Sequence, residues 1–241
     1  MEYRLDGQAA YVLHARPYRD TSLLTDCFSL EHGKISLVVR GARRPGSKLR
    51  ASIQPFVPLQ LSWQGRQELK TLCLAEPVAP PLFLQGRALL CGLYVNELLQ
   101  RLLQPLDPHP RLYVYYQYVL NELVGGDDIE GALRTFERQL LSETGYAPDL
   151  QGLNASALYL LDQEGGLSPV SRVPEGAAPR CFHGWQLQAV AQDDYRDPQV
   201  RRAAKRLMRL LIDRLLGDRA LRSRDLFQRT RPSKSPAPDV S

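Results

Sequence analysis

The sequence predicts an α+β protein, with a small β-barrel at its N-terminus and a mainly α-helical domain behind it. Over residues 7–76, apolar residues alternate in short runs that are separated by turn-forming residues, a pattern typical of strands. Three prolines within residues 77–81 then interrupt any strand or helix. Beyond them, apolar residues recur at the spacing of a helix, so the two kinds of structure occupy separate parts of the chain.

Five short strands are expected in the N-terminal part. Gly33 and Gly65 lie in links that are short enough for hairpins, and no segment with a helical period separates the runs. A five-stranded OB-fold barrel is the most common module of this kind, and its loops and one face bind oligonucleotides. An SH3-like barrel fits the strand count nearly as well. The expected strands are Ala9–His14, Ser22–Leu30, Lys34–Arg40, Phe56–Trp63 and Glu68–Ala75.

The proline-rich piece sets the expected domain boundary, with an OB-fold domain over residues 1–78 and a helical domain over residues 79–228. Asp197 followed by Pro198 predicts a helix start, and Gly145 is well placed to end a helix. Residues 146–184 are expected to be irregular, with at most a short strand at 157–161, and residues 229–241 to be a disordered tail. The predicted helices are Gly86–Gln104, one beginning at Pro110, Ile129–Thr144, and Asp197 to about Leu216.

Positive charge is concentrated at two places rather than spread along the chain. The net charge is +5, which by itself is weak support for a polyanionic partner. Residues 40–50, however, hold five cations and no acid on a connection rich in glycine and proline, where the side chains can reach phosphates. Basic clusters of this kind often mark nucleic-acid surfaces, although a merely solvated loop is the alternative.

The last long helix carries the second concentration. At about 100° per residue, its cations fall within one sector of about 140°, opposite its apolar side. This face could meet DNA, meet the neighbouring domain or simply be solvated. Tyr18, in a loop between Arg16 and Arg19, is the best candidate for an exposed ring that could stack on a base. The predicted DNA-binding residues are Arg16, Arg19, Lys34, Arg40, Arg43, Arg44, Lys48, Arg50, Arg201, Arg202, Lys205 and Arg209.

Several other classes of protein are not supported by the sequence. No apolar run is long enough to span a membrane, and no secretory signal is recognisable, so a cytoplasmic, nucleoid-associated protein is expected. The four cysteines are expected to be buried thiols. The four histidines are scattered, and no nucleotide-binding, hydrolase or metalloprotease motif occurs. We therefore expect no enzymatic activity, no metal and no cofactor.

Taken together, ordered pieces of the sequence resemble the RecO family of bacterial recombinational repair proteins, over about residues 8–228. Each piece alone is modest, but their order and spacing are highly specific. The pieces that carry the resemblance include Ala10–Tyr18, Thr21–Leu23, Gly33-Lys34, Val39–Arg43, Gln54–Phe56, Gly92–Leu99, Leu133–Leu141, Gly145-Tyr146, Arg202–Arg206 and Leu221–Phe227.

The resemblance implies an N-terminal OB-fold, a helical C-terminal domain and no enzymatic turnover. RecO-like proteins bind single- and double-stranded DNA, anneal complementary strands, and with RecR help RecA to load on DNA coated by single-stranded DNA-binding protein (SSB). They also bind the acidic, Phe-ended C-terminal tail of SSB, which needs an apolar pocket beside a cation. The matching helix here offers Leu133 and Phe136 near Arg134 and Arg138, and Arg134 is the residue expected to contact the tail carboxylate.

One departure from the family pattern stands out. Many RecO-like proteins carry four zinc-binding cysteines after a Gly-Tyr-x-Pro motif, whereas the segment that follows Gly145-Tyr146-Ala147-Pro148 here has none until the lone Cys181. This chain therefore resembles a zinc-less branch whose corresponding region is held by packing. Two other functions stay open: an RNA-binding OB-fold module, and an adaptor that binds acidic protein tails but no DNA.

Overall fold

The computed structural model describes residues 3–229. Its N-terminal part is a closed barrel in which the strands follow the order 1-2-3-5-4, with antiparallel pairing except between the third and fifth strands. This is the OB-fold topology, so the OB-fold prediction is confirmed and the SH3-like alternative is not adopted. The elements are β1 (Arg4–Tyr18), β2 (Ser22–Ser29), β3 (Gly33–Val39), α1 (Lys48–Ser52), β4 (Leu59–Gln64) and β5 (Leu69–Pro77).

Alternation of side chains fills the barrel. On β3, Ile35, Leu37 and Val39 are buried while the residues between them are half-buried, as expected when one face of a strand points to the core. The short helix α1 contradicts the expectation that no helix interrupts the strands, because five residues are too few to show a helical period. Cys73 is also exposed on β5, contrary to the expectation of four buried thiols.

The helical part begins nine residues after β5. The predicted helix ends are confirmed by their caps: Asp128 accepts a hydrogen bond from the Gly131 N–H at 3.0 Å, and Asp197 accepts one from the Gln199 N–H at 2.6 Å. Gly145 adopts a φ of +78° just after its helix. The helices are α2 (Gly86–Leu102), α3 (Pro110–Gly125), α4 (Ile129–Glu143), α5 (Gly184–Ala191), α6 (Pro198–Leu216) and α7 (Arg222–Arg229).

Residues 146–184, expected to be irregular, contain an antiparallel three-stranded sheet. Its central strand is β6 (Leu158–Leu161), flanked by β7 (Leu167–Val170) and β8 (Cys181–His183). Strands of three or four residues are too short for alternation to reveal them. Tyr159 and Phe182 from this sheet are buried in the main core. Within residues 3–229, no group of three or more potential metal ligands comes together.

A polar and aromatic joint connects the barrel to the helices. Asn96 of α2 donates to the Leu13 carbonyl at 3.1 Å and accepts from the Tyr116 hydroxyl at 2.7 Å. The Tyr116 ring meets Tyr11 of β1 edge-on, with centroids 5.1 Å apart, and Tyr113 packs in the same cluster. The tyrosine-rich third helix therefore supplies rings to a contact between the barrel and the helices. The predicted disordered tail lies outside the described residues from position 230 onward.

Candidate nucleic-acid interface

Two turns meet at one end of the barrel. The β1–β2 turn lies beside the connection from β3 to α1, because the Arg43 backbone N–H donates to the Thr21 carbonyl at 2.9 Å. The Arg43 guanidinium also donates to the carbonyls of Arg19 and Asp20, at 3.2 and 3.3 Å. Arg43 thus holds the two turns together, and cations far apart in the sequence are brought to one place.

This basic end of the barrel consists of Arg16, Arg19, Arg40, Arg43, Arg44 and Arg50, all exposed. None of them forms an ion pair with a carboxylate in the part of the chain that the structure describes. Asp20 is the only acid in segments 16–22 and 39–50, so little internal charge competes with a polyanion here. Lys48 begins α1, and its side chain lies outside the described structure.

One aromatic ring accompanies these cations. Tyr18 is half-buried, and the guanidinium of Arg19 lies 5.2 Å from the centre of its ring, a cation–π contact. The other barrel aromatics, Tyr11, Phe28, Phe56 and Trp63, are buried, as the sequence indicated. Tyr18 is therefore the ring of this group that lies closest to solvent beside the basic end.

Lys34, predicted to bind DNA, lies at the opposite end of the β2–β3 hairpin. Its ammonium donates to the Gln100 carbonyl of α2 at 2.9 Å, and burial lowers its pKa against the opposing effects of Asp26 and Glu68. The Lys34 carbonyl accepts from the Leu106 N–H at 2.9 Å. Lys34 thus joins the barrel to the helices, and its placement does not match the DNA contact expected from sequence.

The cationic face of α6 is only partly available. Arg201 forms two hydrogen bonds with Asp128, at 2.7 and 3.0 Å, and Arg206 donates to the Cys181 carbonyl at 2.6 Å while lying 4.5 Å from the centre of the Phe182 ring. Arg209 lies 3.5 Å from Asp213. Arg202 and Lys205 are exposed. Arg201 and Arg206 therefore serve contacts within the helical part. The elements that pack most extensively against α6 are α5 and α4.

The expected apolar pocket for an acidic tail is closed. Phe136 is fully buried and Leu133 is 7% exposed, because both belong to the core-facing side of α4. Arg138 pairs with Asp193, with 2.9 Å between Nε and Oδ1. The prediction that these side chains line an open pocket is therefore wrong. They are apolar residues at helical spacing, and such residues more often pack in a core than bind a ligand.

Arg134 takes part in a different arrangement. Its Nη2 lies 2.6 Å from Oε1 of Glu137, which also accepts from the Tyr94 hydroxyl at 2.7 Å. Glu137 is 1% exposed, and burial raises its pKa even though Arg134, Tyr94, Arg224 and Lys205 favour its charged form. We call Arg134, Lys205 and Arg224 around Glu137 the cationic junction. Sequence reasoning missed Glu137, although its i, i+3 spacing from Arg134 was a usable signal.

Comparison with known proteins identifies the family. The chain matches the family model described as Recombination protein O N terminal over residues 3–81 and the one described as Recombination protein O C terminal over residues 84–157. Among curated relatives, DNA repair protein RecO of Pseudomonas aeruginosa is 44% identical over 233 residues, which cover 94% of this chain and 97% of the relative.

Two further relatives with the name DNA repair protein RecO agree in extent. The protein of Methylococcus capsulatus is 43% identical over 226 residues, covering 91% of each chain. That of Burkholderia pseudomallei is 42% identical over 232 residues, covering 94% of this chain and 84% of the relative. Within residues 3–229, no helix is both long and apolar enough to cross a membrane. The matches span both the barrel and the helices, and this chain belongs to the RecO family of DNA repair proteins.

Proposed function

We propose that this protein is a recombination mediator that binds single- and double-stranded DNA, anneals complementary strands, and with RecR helps RecA to load on SSB-coated DNA. The observation that carries the proposal is the basic end of the barrel, where segments 16–22 and 39–50 supply six exposed arginines and a single acidic residue. The role needs DNA binding and strand annealing but no turnover and no cofactor. It places the protein at the nucleoid, in the cytoplasm.

The physical basis is neutralisation of phosphates. Each cation that contacts a phosphate releases condensed counterions, so binding is salt-dependent and largely independent of sequence. Arg43 holds the two turns together through backbone carbonyls. Because acids are scarce in these two segments, the neighbouring arginines form no ion pair within residues 3–229. Tyr18 adds a ring on which an unpaired base could stack. A surface that holds backbones without reading base edges suits annealing, because it leaves those edges free to pair.

A charge reversal tests the assignment of the basic end. In Arg43→Glu/Arg44→Glu, the slope of log affinity against log salt should become shallower by about 1.8 for duplex DNA, since each lost phosphate contact removes about 0.9. Annealing of complementary strands should slow in parallel. The matched control is Arg172→Glu/Arg196→Glu, which reverses two exposed charges on the helical part and should leave both measurements unchanged.

The outcome separates the proposal from its rivals. If annealing at moderate salt is the same for Arg43→Glu/Arg44→Glu and the control, the basic end does not bind DNA. If RNA of equal length outcompetes DNA on the unmodified protein, the barrel is an RNA-binding module instead. If the protein binds acidic peptides but neither nucleic acid, it is an adaptor.

We further propose that the helical domain, residues 79–228, recruits the protein to SSB by binding its acidic tail at the cationic junction, where Arg134 contacts the tail carboxylate. Arg202 and Lys205 are exposed on the adjoining face of α6 and add positive charge for the acidic residues of the tail or for DNA. Arg134→Glu should impair annealing of SSB-coated strands while sparing naked strands. Equal loss on both substrates would refute this separation of roles.

A further inference from the structure

We propose that Glu137 sets the affinity of the cationic junction for a carboxylate, because it occupies Arg134 in the unbound protein. The inference rests on the proposed docking of an acidic protein tail at Arg134 and adds a residue that regulates it. An incoming carboxylate has to compete with an internal one for the same guanidinium. Glu137 is thus an affinity-determining residue that touches Arg134 but does not itself bind the partner.

The hydrogen bonding of the pair is incomplete. Arg134 uses Nη2 on Glu137, while Arg134 Nε and Glu137 Oε2 are buried without a hydrogen-bond partner among the described residues. An arginine and a carboxylate usually pair through two parallel bonds, and a buried group without a partner costs free energy. The internal pair is therefore held by one hydrogen bond instead of two, which weakens Glu137 as a competitor for an arriving carboxylate.

Arg134 is more exposed than Glu137, as it must be if an incoming carboxylate is to replace Glu137 on the guanidinium. The Arg134 side chain is 11% exposed and that of Glu137 is 1% exposed, so part of the Arg134 side chain reaches the surface while the carboxylate stays beneath it. Tyr94 of α2 holds Glu137 from the inner side through its hydroxyl. A ligand can therefore approach Arg134 without displacing Glu137 from the core.

The surrounding charges favour an anion once Glu137 is neutral. Arg134 on α4, Lys205 on α6 and Arg224 on α7 all act on Glu137. Two further titratable groups, Tyr94 and Cys91 on α2, also interact with it. Arg224 is itself shared with Asp213. Because unit charges a few ångströms apart interact strongly in a partly buried site, removing the charge of Glu137 increases the attraction of the junction for a carboxylate.

The test is the affinity of a fluorescently labelled six-residue acidic peptide that ends in phenylalanine with a free carboxylate, measured by anisotropy on the full chain. Glu137→Gln, which keeps a similar shape and a hydrogen-bond acceptor, should bind this peptide about five- to tenfold more tightly than the unmodified protein. When the same peptide carries an amidated C-terminus, Glu137→Gln should increase its affinity by less than half as much. Glu143→Gln removes an equal charge from the C-terminal end of the same helix, where Glu143 lies 3.9 Å from Arg111, and should change the affinity less than about twofold.

Two variants keep the inference separate from the docking proposal. Arg134→Gln should weaken peptide binding about tenfold; binding equal to that of the unmodified protein would refute docking at Arg134. If Arg134→Gln weakens binding but Glu137→Gln binds no more tightly than the unmodified protein, docking stands and the role of Glu137 is refuted.

The unmodified protein supplies a second measurement if Glu137→Gln does not fold. Burial raises the pKa of Glu137, so lowering the pH from 8 towards that pKa protonates Glu137 before the peptide carboxylates, whose pKa values are ordinary. The affinity for the free-carboxylate peptide should then rise relative to that for the amidated peptide. A ratio that stays constant until the peptide carboxylates themselves titrate would contradict the inference.

Discussion

Substituting Gly33 tests how tightly the barrel is joined to the helices. Gly33 is the first residue of β3, directly after the β2–β3 turn. It has a φ of +63°, and a Cβ added there would lie 1.9 Å from the Asp107 carbonyl oxygen. Gly46 provides a matched control, because its φ is +76° but nothing lies within 4 Å of an added Cβ. Gly33→Ala and Gly46→Ala therefore share the backbone strain and differ in the collision with the α2–α3 connection.

The expected free energies of unfolding follow from these distances. Left-handed backbone costs an alanine about 1–2 kcal/mol, and the stiffer unfolded chain offsets about 0.4–1 kcal/mol of that, which leaves roughly 1 kcal/mol at Gly46. At Gly33 the turn must also move away from Asp107, which breaks the Leu106 N–H to Lys34 carbonyl bond and the bond of the Lys34 ammonium. Each is worth about 1 kcal/mol, so the loss should reach roughly 3 kcal/mol.

The assay is urea unfolding followed by far-ultraviolet circular dichroism, with tyrosine and tryptophan fluorescence as a second probe. A loss of this size is a large part of the usual stability of about 5–15 kcal/mol, so the midpoint of Gly33→Ala should fall well below that of Gly46→Ala. If the barrel then unfolds separately from the helices, the two probes should no longer coincide. Equal midpoints for the two variants would refute the reasoning, because they would show that the turn can leave the α2–α3 connection at no cost.

Two other predictions concern the helical part and the thiols. Asp128→Ala should destabilise the protein by about 2 kcal/mol, since it removes both an N-cap and the half-exposed ion pair with Arg201. Asp127→Ala, at the exposed neighbouring position, should cost less than about 0.5 kcal/mol in the same urea assay. The exposed Cys73 should react with a thiol reagent within minutes at pH 8, whereas Cys91, whose pKa burial raises to about 11, should react only on unfolding; rapid modification of both in folded protein would contradict the described burial.

Local patterns in the sequence were sufficient for much of the architecture. Strand alternation and two glycine turns indicated the five-stranded barrel, since those signals depend on residues close in the chain. Asp197-Pro198 and Gly145 marked helix ends for the same reason, because capping is decided within one turn. The short elements α1, β7 and β8 were missed, since three to five residues carry too little periodicity to be distinguished from loops. The eight-residue helices α5 and α7 were also missed, since two turns repeat a helical pattern too few times to establish it.

The candidate sites depended on contacts that no local pattern contains. Sequence placed Arg19 and Arg43 in separate loops, and the tertiary structure brought them together through backbone carbonyls. In the tertiary structure, Lys34 and Arg201 form internal contacts and Phe136 is buried in the core. The sequence could not show this, because a cation or an aromatic ring is equally suited to packing and to binding. The sequence alone determined which surfaces could be cationic; only the fold decided which of those cations have internal partners, because pairing depends on residues distant in the chain.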